Sequence, residues 1–418
     1  IKTGDKIISS EDFKTEIPKI ISNLDNSYIY IQGPPGTGKT YQASNAIIQL
    51  LKQNKKIGIT GLSHKVIHNL LQRVEEMAKE KQFNFDGYKR GNLEDEDTVF
   101  NGEFIKTYEK DPVFMDALKE KDVGQIFAGT KYHLASTFYD QKIDYLFIDE
   151  AGQISLADLI SIGNIAKNII LIGDQNQLGQ PIKGTHPNNS GQSILDYLLE
   201  GKDTIPEDRG IFLNKTYRLN SKLNKFISSN FYEERLICDE RTDKRIIKFN
   251  NKSLIKNDGI HYIEMKHKNN VQTSIEEFEV VRDLMKEMIG SEFDDNGSKK
   301  KLTVEDFLII SPYNTQVNLL ISKLEEAKIK NPRVGTIDKF QGQEAPITII
   351  SMTSSDSDSL PRNKEFFFSR NRLNVAISRA QVASIILFNP QLLDSSPKNL
   401  DQIKLMNNFF KFLNYKKY

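Results

Sequence analysis

The clearest chemistry in the chain lies in Gly33-Pro34-Pro35-Gly36-Thr37-Gly38-Lys39-Thr40. These residues match G-x-x-x-x-G-K-[ST] without substitution. Glycines at that spacing let consecutive backbone N–H groups turn inward on a phosphate chain. Lys39 can then reach the β- and γ-phosphates, and the Thr40 hydroxyl can hold Mg²⁺. Further along, Phe147-Ile148-Asp149-Glu150 ends an apolar run on two carboxylates. Asp149 is placed to support the metal, and Glu150 to take a proton from an attacking water. In Gly173–Pro181, Gln177 either senses the γ-phosphate or orients that water. Near the end, Asn371-Arg372-Leu373-Asn374-Val375-Ala376-Ile377-Ser378-Arg379-Ala380 offers a candidate arginine finger. A triphosphate site with its cradle in one half and an arginine in the other can open and close as it turns over.

These residues need parallel sheets to position them. Tyr28–Ile31, Ile57–Thr60, Tyr145–Ile148 and Ile169–Ile172 are short, almost wholly apolar runs, each followed by a loop. Phe307–Ile310, Ile347–Ser351 and Ile385–Phe388 form a second set. Such runs read as central strands of parallel sheets. Ala43, Ile47, Ile48 and Leu51 recur at helical spacing after the glycine loop, which puts the phosphates at a helix N-terminus. The expected fold is α/β, with two domains, 1–204 and 205–418, joined near Gly201–Pro206. The polar stretch Glu76–Val123, with its acidic run Glu94-Asp95-Glu96-Asp97, is expected to be a small helical insertion. Ser291–Lys301 reads as a loop. Ile403, Leu405, Met406, Phe409, Phe410 and Leu413 suggest a docking helix near the end.

Composition narrows the classes. The chain has 418 residues, 38% hydrophobic and 27% charged, in the ordinary range for a soluble protein. A net charge of +1 gives no global basic signal, so any nucleic-acid binding must come from a local groove. Cys238 is the single cysteine, which excludes an intramolecular disulfide and a cysteine-rich metal module. No membrane span is expected, and a reduced cytoplasmic setting fits. The sequence starts with Ile1, and only a short segment precedes the glycine loop, so a processed chain or a piece of a larger protein is expected. His64 and His68 sit four apart, but Lys65 stands where a zinc metalloprotease needs Glu. Glu264-Met265-Lys266 echoes half of a nuclease core without an acidic partner at the usual spacing.

The ordered set of segments resembles a superfamily-one helicase of the 5′-to-3′ branch, similar to the nonsense-mediated-decay helicase and the Dna/Nam-type helicases. Ser63-His64-Lys65-Val66 resembles motif Ia, Ala128-Gly129-Thr130 motif Ic, and Asp149-Glu150-Ala151-Gly152 motif II. Gly173–Pro181 resembles motif III, Thr216-Tyr217-Arg218-Leu219 the Q-Y-R-M segment, and Ser311-Pro312-Tyr313-Asn314 motif IV. Gly335–Glu344 resembles motif V and Leu373–Ala380 motif VI. The resemblance implies two RecA-like domains, ATP and Mg²⁺ as cofactors, and single-stranded DNA or RNA as the partner. It implies that Arg218 and Arg379 stabilise charge on the γ-phosphate, that Gly342 and Glu344 line the nucleotide, and that Tyr217 packs on the adenine. Strand contacts fall by the same resemblance on Ser63, His64, Thr130, Gln180, Pro181, Pro312, Tyr313 and Thr336. The sequence departs from the family in having no glutamine before Gln32, where relatives place the adenine-reading residue. An ATP-driven switch controlling a fused or associated nuclease or effector is the alternative expectation.

Overall fold

The computed structural model describes residues 4–8, 10, 12–179, 187–249, 254–356, 360, 367–394, 399–400 and 402–407. It divides into two compact units. The first is Ile1–Gln175 with Gly179–Leu213, and the second is Asn176–Leu178 with Asn214–Tyr418.

The first unit is built on one sheet of eight strands. These are β1 (Tyr28–Gln32), β2 (Lys56–Thr60), β3 (Asp86–Arg90), β4 (Ile105–Tyr108), β5 (Gln125–Ala128), β6 (Ile143–Ile148), β7 (Ala166–Gly173) and β8 (Gly210–Phe212). Their order is β4-β3-β5-β2-β6-β7-β1-β8, and the pairs are parallel. The inner strands are apolar because helices cover the sheet. Helices α1 (Phe13–Ser22), α2 (Lys39–Leu51) and α3 (His64–Glu80) share one core with β1 and β2, through Ile17, Ile47, Ile48, Leu70, Ile31 and Ile59. Shorter helices α4 (Asp111–Ala117), α5 (Lys131–Leu134), α6 (Leu156–Gly163) and α7 (Ile194–Leu199) complete the unit.

The stretch 76–123 is not a helical insertion. It finishes α3, then adds β3 and β4 to the edge of the main sheet before α4. Its polarity has a physical reason. β3 alternates buried and accessible residues and buries a lysine, Lys89, whose ammonium is hydrogen-bonded to His64 and the Thr98 carbonyl. Gly87 is required there, since a Cβ would come within 2.5 Å of Ile105 Cγ1 on β4.

The second unit holds a five-stranded parallel sheet in the order β12-β18-β17-β15-β16. Its strands are β12 (Gly259–Glu264), β15 (Phe307–Ile310), β16 (Val334–Gly335), β17 (Ala345–Ser351) and β18 (Ala380–Phe388). Around it lie α8 (Ser221–Phe231), α9 (Ile275–Met288), α10 (Asn314–Glu326) and α11 (Arg370–Ile377). Val281, Leu284, Leu320, Ile309, Ile349 and Ile385 form its core. The short pair β9 (Lys215–Thr216) and β10 (Ile237–Cys238) lies apart from that sheet, as does β11 (Arg245–Ile247) with β13 (Glu292–Asp295) and β14 (Ser298–Lys301). The expected loop at 291–301 is therefore a hairpin. Asn296 and Gly297 both take positive φ, 57° and 92°, as its two-residue turn requires. Of the expected C-terminal docking set, Met406 is buried and Ile403 exposed, while Phe409, Phe410 and Leu413 lie outside the described residues.

Candidate functional site

In the first unit the phosphate loop connects β1 to α2. Gly36 and Gly38 have φ of 74° and 81°, a backbone that side-chain-bearing residues rarely adopt. Gly38 is also the residue that caps α2, so the free N–H groups of the first helical turn face the loop. Thr37 Oγ donates to the Pro34 carbonyl at 2.8 Å and stiffens the turn. Lys39 folds back to donate to the Gly33 carbonyl at 2.6 Å. Gly33 must lack a side chain, because a Cβ there would strike the Lys39 stem.

Asp149 and Glu150 emerge from the end of β6. Asp149 is 6% exposed. Burial and then the Glu150 charge push its carboxyl up from the usual carboxylate range, while Lys39 pulls it down. A carboxylate buried in that way is poorly solvated as an anion, and a divalent cation would relieve it. The donors present, the Asp149 carboxylate and the Thr40 hydroxyl, are hard oxygens that suit Mg²⁺. Glu150 sits at φ 52°, ψ 44°, a left-handed conformation uncommon for a side-chain-bearing residue, and its N–H donates to Asp149 Oδ1 at 2.9 Å. Local strain of this kind clusters at functional sites. The turn is seated against the end of β7 at Gly173, where an added Cβ would lie 2.9 Å from the Ala151 nitrogen.

A polar network that sequence reasoning missed lies beneath the loop. Gln32, the last residue of β1, donates to Gln175 Oε1 and to the Asp203 carbonyl, both at 3.0 Å, and accepts from the Ile205 N–H at 2.7 Å. Tyr30 donates to the same Gln175 oxygen at 3.0 Å. These bonds tie the strand that carries the phosphate loop to the start of the Gly173–Pro181 segment. The partners are more than 140 residues apart in sequence, so no local pattern shows them.

In the second unit, Arg218, Gly342, Glu344 and Arg379 come together at the starts of β17 and β18. Arg218 Nε pairs with Glu344, and its Nη1 donates to the Ser378 carbonyl at 3.1 Å. Arg379 is 2% exposed, with Nε on the Val375 carbonyl and Nη1 on the Gln343 carbonyl, both at 3.2 Å. Gln381 also donates to Glu344, at 2.8 Å. Burial opposes the Glu344 charge, but Arg218 and the donors around it hold its carboxyl below the usual range. Gly342 has φ 78°. Tyr217 is exposed, with the Arg241 guanidinium 5.3 Å from its ring centre. Gln177 is buried, and its carbonyl accepts from Asn371 Nδ2 at 2.7 Å. Asn374 Nδ2 donates to the Asn176 carbonyl at 2.7 Å. Asn371 and Asn374 are one turn apart on α11, and that i, i+3 spacing is the signal by which their joint role could have been found.

Of the residues expected to meet a strand, those described lie at the C-terminal ends of parallel strands, where ligands of such sheets bind. Ser63 caps α3 after β2, its Oγ accepting from the Val66 N–H at 3.3 Å. Thr130 follows β5 and precedes α5, and Thr336 follows β16 and precedes the turn Ile337–Phe340. Neither threonine spends its side chain on capping its helix. Pro312 is half-buried after β15. Tyr313 is 4% exposed and its ring stacks on Phe367, so in this conformation it packs inward and offers no open face for a base. Gln180 and Pro181 lie outside the described residues. No helix among the described residues is long and apolar enough to cross a membrane.

The chain resembles known proteins over most of its length. Two AAA-domain family models match, one over residues 18–182 and one over 191–391. The "DNA replication ATP-dependent helicase/nuclease dna2" of Schizosaccharomyces pombe is 29% identical over 406 residues, covering 88% of this chain and 27% of that protein. The "DNA polymerase alpha-associated DNA helicase A" of the same organism is 26% identical over 409 residues, covering 84% of this chain and 59% of that one. The "Probable RNA helicase armi" of Drosophila melanogaster is 25% identical over 438 residues, with 86% of this chain and 35% of that one covered. The chain thus spans less than two thirds of the length of each of these relatives. Among solved structures, the helicase MrfA bound to DNA aligns over 96% of this chain and 51% of its own, with a TM-score of 0.50 at 10% identity, a likeness of fold. With the ordered motif series running through both matched segments, the chain belongs to the superfamily-one helicases, in the branch whose motifs it carries.

Proposed function

We propose that the chain hydrolyses ATP with Mg²⁺ and uses the cycle to move along single-stranded DNA or RNA. The observation that carries this reading is the phosphate loop standing with a buried Asp149 and a left-handed Glu150 at the ends of strands of one parallel sheet. Gly33 to Thr40 bind the phosphates, with Lys39 leaving its Gly33 carbonyl for them. Thr40 and Asp149 would hold Mg²⁺, which neutralises charge on the phosphate oxygens when bound. Glu150 takes a proton from the attacking water. Arg218 and Arg379 offset the charge that spreads over the γ-phosphate in the transition state. Gln177 couples that event to the rest of the chain, Gly342 and Glu344 line the nucleotide, and Tyr217 packs on the base.

The strand is gripped at Ser63, His64 and Thr130, and again at Pro312 and Thr336, with Gln180 and Pro181 as further contacts. Tyr313 supports the second grip by fixing the backbone beside Pro312. Relatives named as DNA helicases and as a probable RNA helicase support either polymer. The alternative, an ATP-driven switch governing a nuclease, draws on relatives whose names pair helicase with nuclease. Displacement of an annealed strand by the full-length protein separates the two. ATP-dependent displacement supports the motor. Strand-stimulated hydrolysis without displacement would sink it in favour of the switch.

A further inference from the structure

A lysine lies buried under the first turn of α3. Lys89, on β3, has no exposed surface. Its Nζ is 2.8 Å from His64 Nδ1 and also donates to the Thr98 carbonyl. Gly91 lets the Thr98 loop come close, since a Cβ there would meet both the Thr98 oxygen and Lys89 Nζ. An ammonium group has three hydrogens and no lone pair, so it can only donate. The His64 nitrogen facing it must accept. The single proton of a neutral His64 ring then sits on Nε2.

The ring is held neutral by its surroundings. Burial and then the Lys89 charge lower the His64 pKa from 6.5, against a smaller pull from Asp95. Neighbouring His68 is held down to about 4 by burial and by the same lysine. Lys89 itself is lowered by burial to about 8, which still leaves it mostly protonated at neutral pH.

We propose that Lys89 is a positioning residue that fixes His64 as the Nε2–H tautomer, so that motif Ia offers a phosphate oxygen of the strand a directed, uncharged N–H donor. This rests on the reading above of His64 as a strand contact. It assigns to β3, in the polar stretch 76–123, a part in strand binding. It also makes a distinction that a merely structural lysine would not. An uncharged donor adds affinity without releasing a counterion, whereas each cation–phosphate contact adds about 0.7 to the salt slope on single strands.

The test has two arms. Nitrogen-15 long-range correlations on the histidines of the full chain, with His64→Ala to assign the signal, should show His64 as the Nε2–H tautomer at pH 7. An Nδ1–H tautomer or an imidazolium overturns the inference without any Lys89 variant having to fold. Binding of an oligodeoxythymidylate is then measured across a salt series. Lys89→Met and His64→Ala should each weaken it about tenfold, the scale of one hydrogen bond to a charged group, with the salt slope unchanged. Lys89→Arg, which still donates, should recover most of the loss. Wild-type binding in Lys89→Met, or a slope reduced by a full contact in His64→Ala, overturns the inference alone. No binding by the wild-type chain overturns the strand reading on which it rests.

Discussion

Alanine at Gly173 should cripple turnover while leaving the protein folded. The position closes β7, and its backbone does not need positive φ, so the effect is steric. The new Cβ would lie 2.9 Å from the Ala151 nitrogen, 3.1 Å from the Gly152 nitrogen and 3.0 Å from Leu195 Cδ1. Leu195 can turn away, but the two backbone nitrogens cannot. Ordinary contact begins near 3.4 Å, so the turn after Asp149-Glu150 must retreat by several tenths of an ångström. Overpacking of this size costs about 1–3 kcal/mol, and at roughly 2–4 °C per kcal/mol the melting temperature should fall by several degrees. The catalytic cost is larger, because Glu150 caps that turn and shifts with it. A misplacement approaching 1 Å can cost on the order of 100-fold, so a loss of about 10- to 100-fold in kcat is expected, with a smaller change in KM for ATP. Steady-state phosphate release beside a thermal melt measures both. A folded Gly173→Ala protein with wild-type kcat would refute the argument that this turn positions the base.

Arg379→Ala should lower kcat by about 10³-fold or more, with less effect on KM, since an arginine acting on the transition state contributes on that scale; a normal kcat would contradict that role. Glu277→Ala should destabilise the second unit by about 3–5 kcal/mol, because it strips a buried acceptor from Ser351 Oγ at 2.5 Å, the Thr353 N–H at 2.9 Å and His267 Nε2 at 3.1 Å. Its denaturant midpoint should fall, and an unchanged midpoint would contradict this. His133, half-buried against Phe114 and bonded to Tyr139 at 2.8 Å, is held down by burial from 6.5 to about 4. The unfolded chain takes up its proton first on acidification. The stability from this site is therefore complete above pH 6.5 and lost as pH falls towards 4, on the order of 3 kcal/mol. Urea melts should show the wild type losing more stability than His133→Phe as pH falls through that window, and identical pH dependence would refute the assignment.

What the sequence made legible follows from range. The strands β1, β2, β6, β7, β15, β17 and β18 are apolar runs, because burial on both faces leaves the residue types little choice. The phosphate loop shows itself through glycines whose positive φ excludes other residues. β3 and β4 were hidden because a sheet edge with a hydrogen-bonded lysine inside it looks like solvated chain. The hairpin at 292–301 had its signal, Asn296-Gly297, but its strands are short and highly charged and give no apolar alternation. The long-range pairs, Lys89 with His64 and Gln32 with Gln175 at the candidate site and Glu277 with His267 and Thr353 in the second unit, join residues without local periodicity. Tyr313 shows the reverse limit: an aromatic in a strand-binding motif reads as a stacking platform until its burial against Phe367 is seen.

The most direct test of the central claim is the rate of ATP hydrolysis with and without single-stranded DNA and single-stranded RNA, beside Glu150→Gln. The account predicts strong stimulation by at least one polymer in the wild type, and its loss in the variant. Equal turnover with and without strand, or stimulated turnover that survives Glu150→Gln, would contradict it.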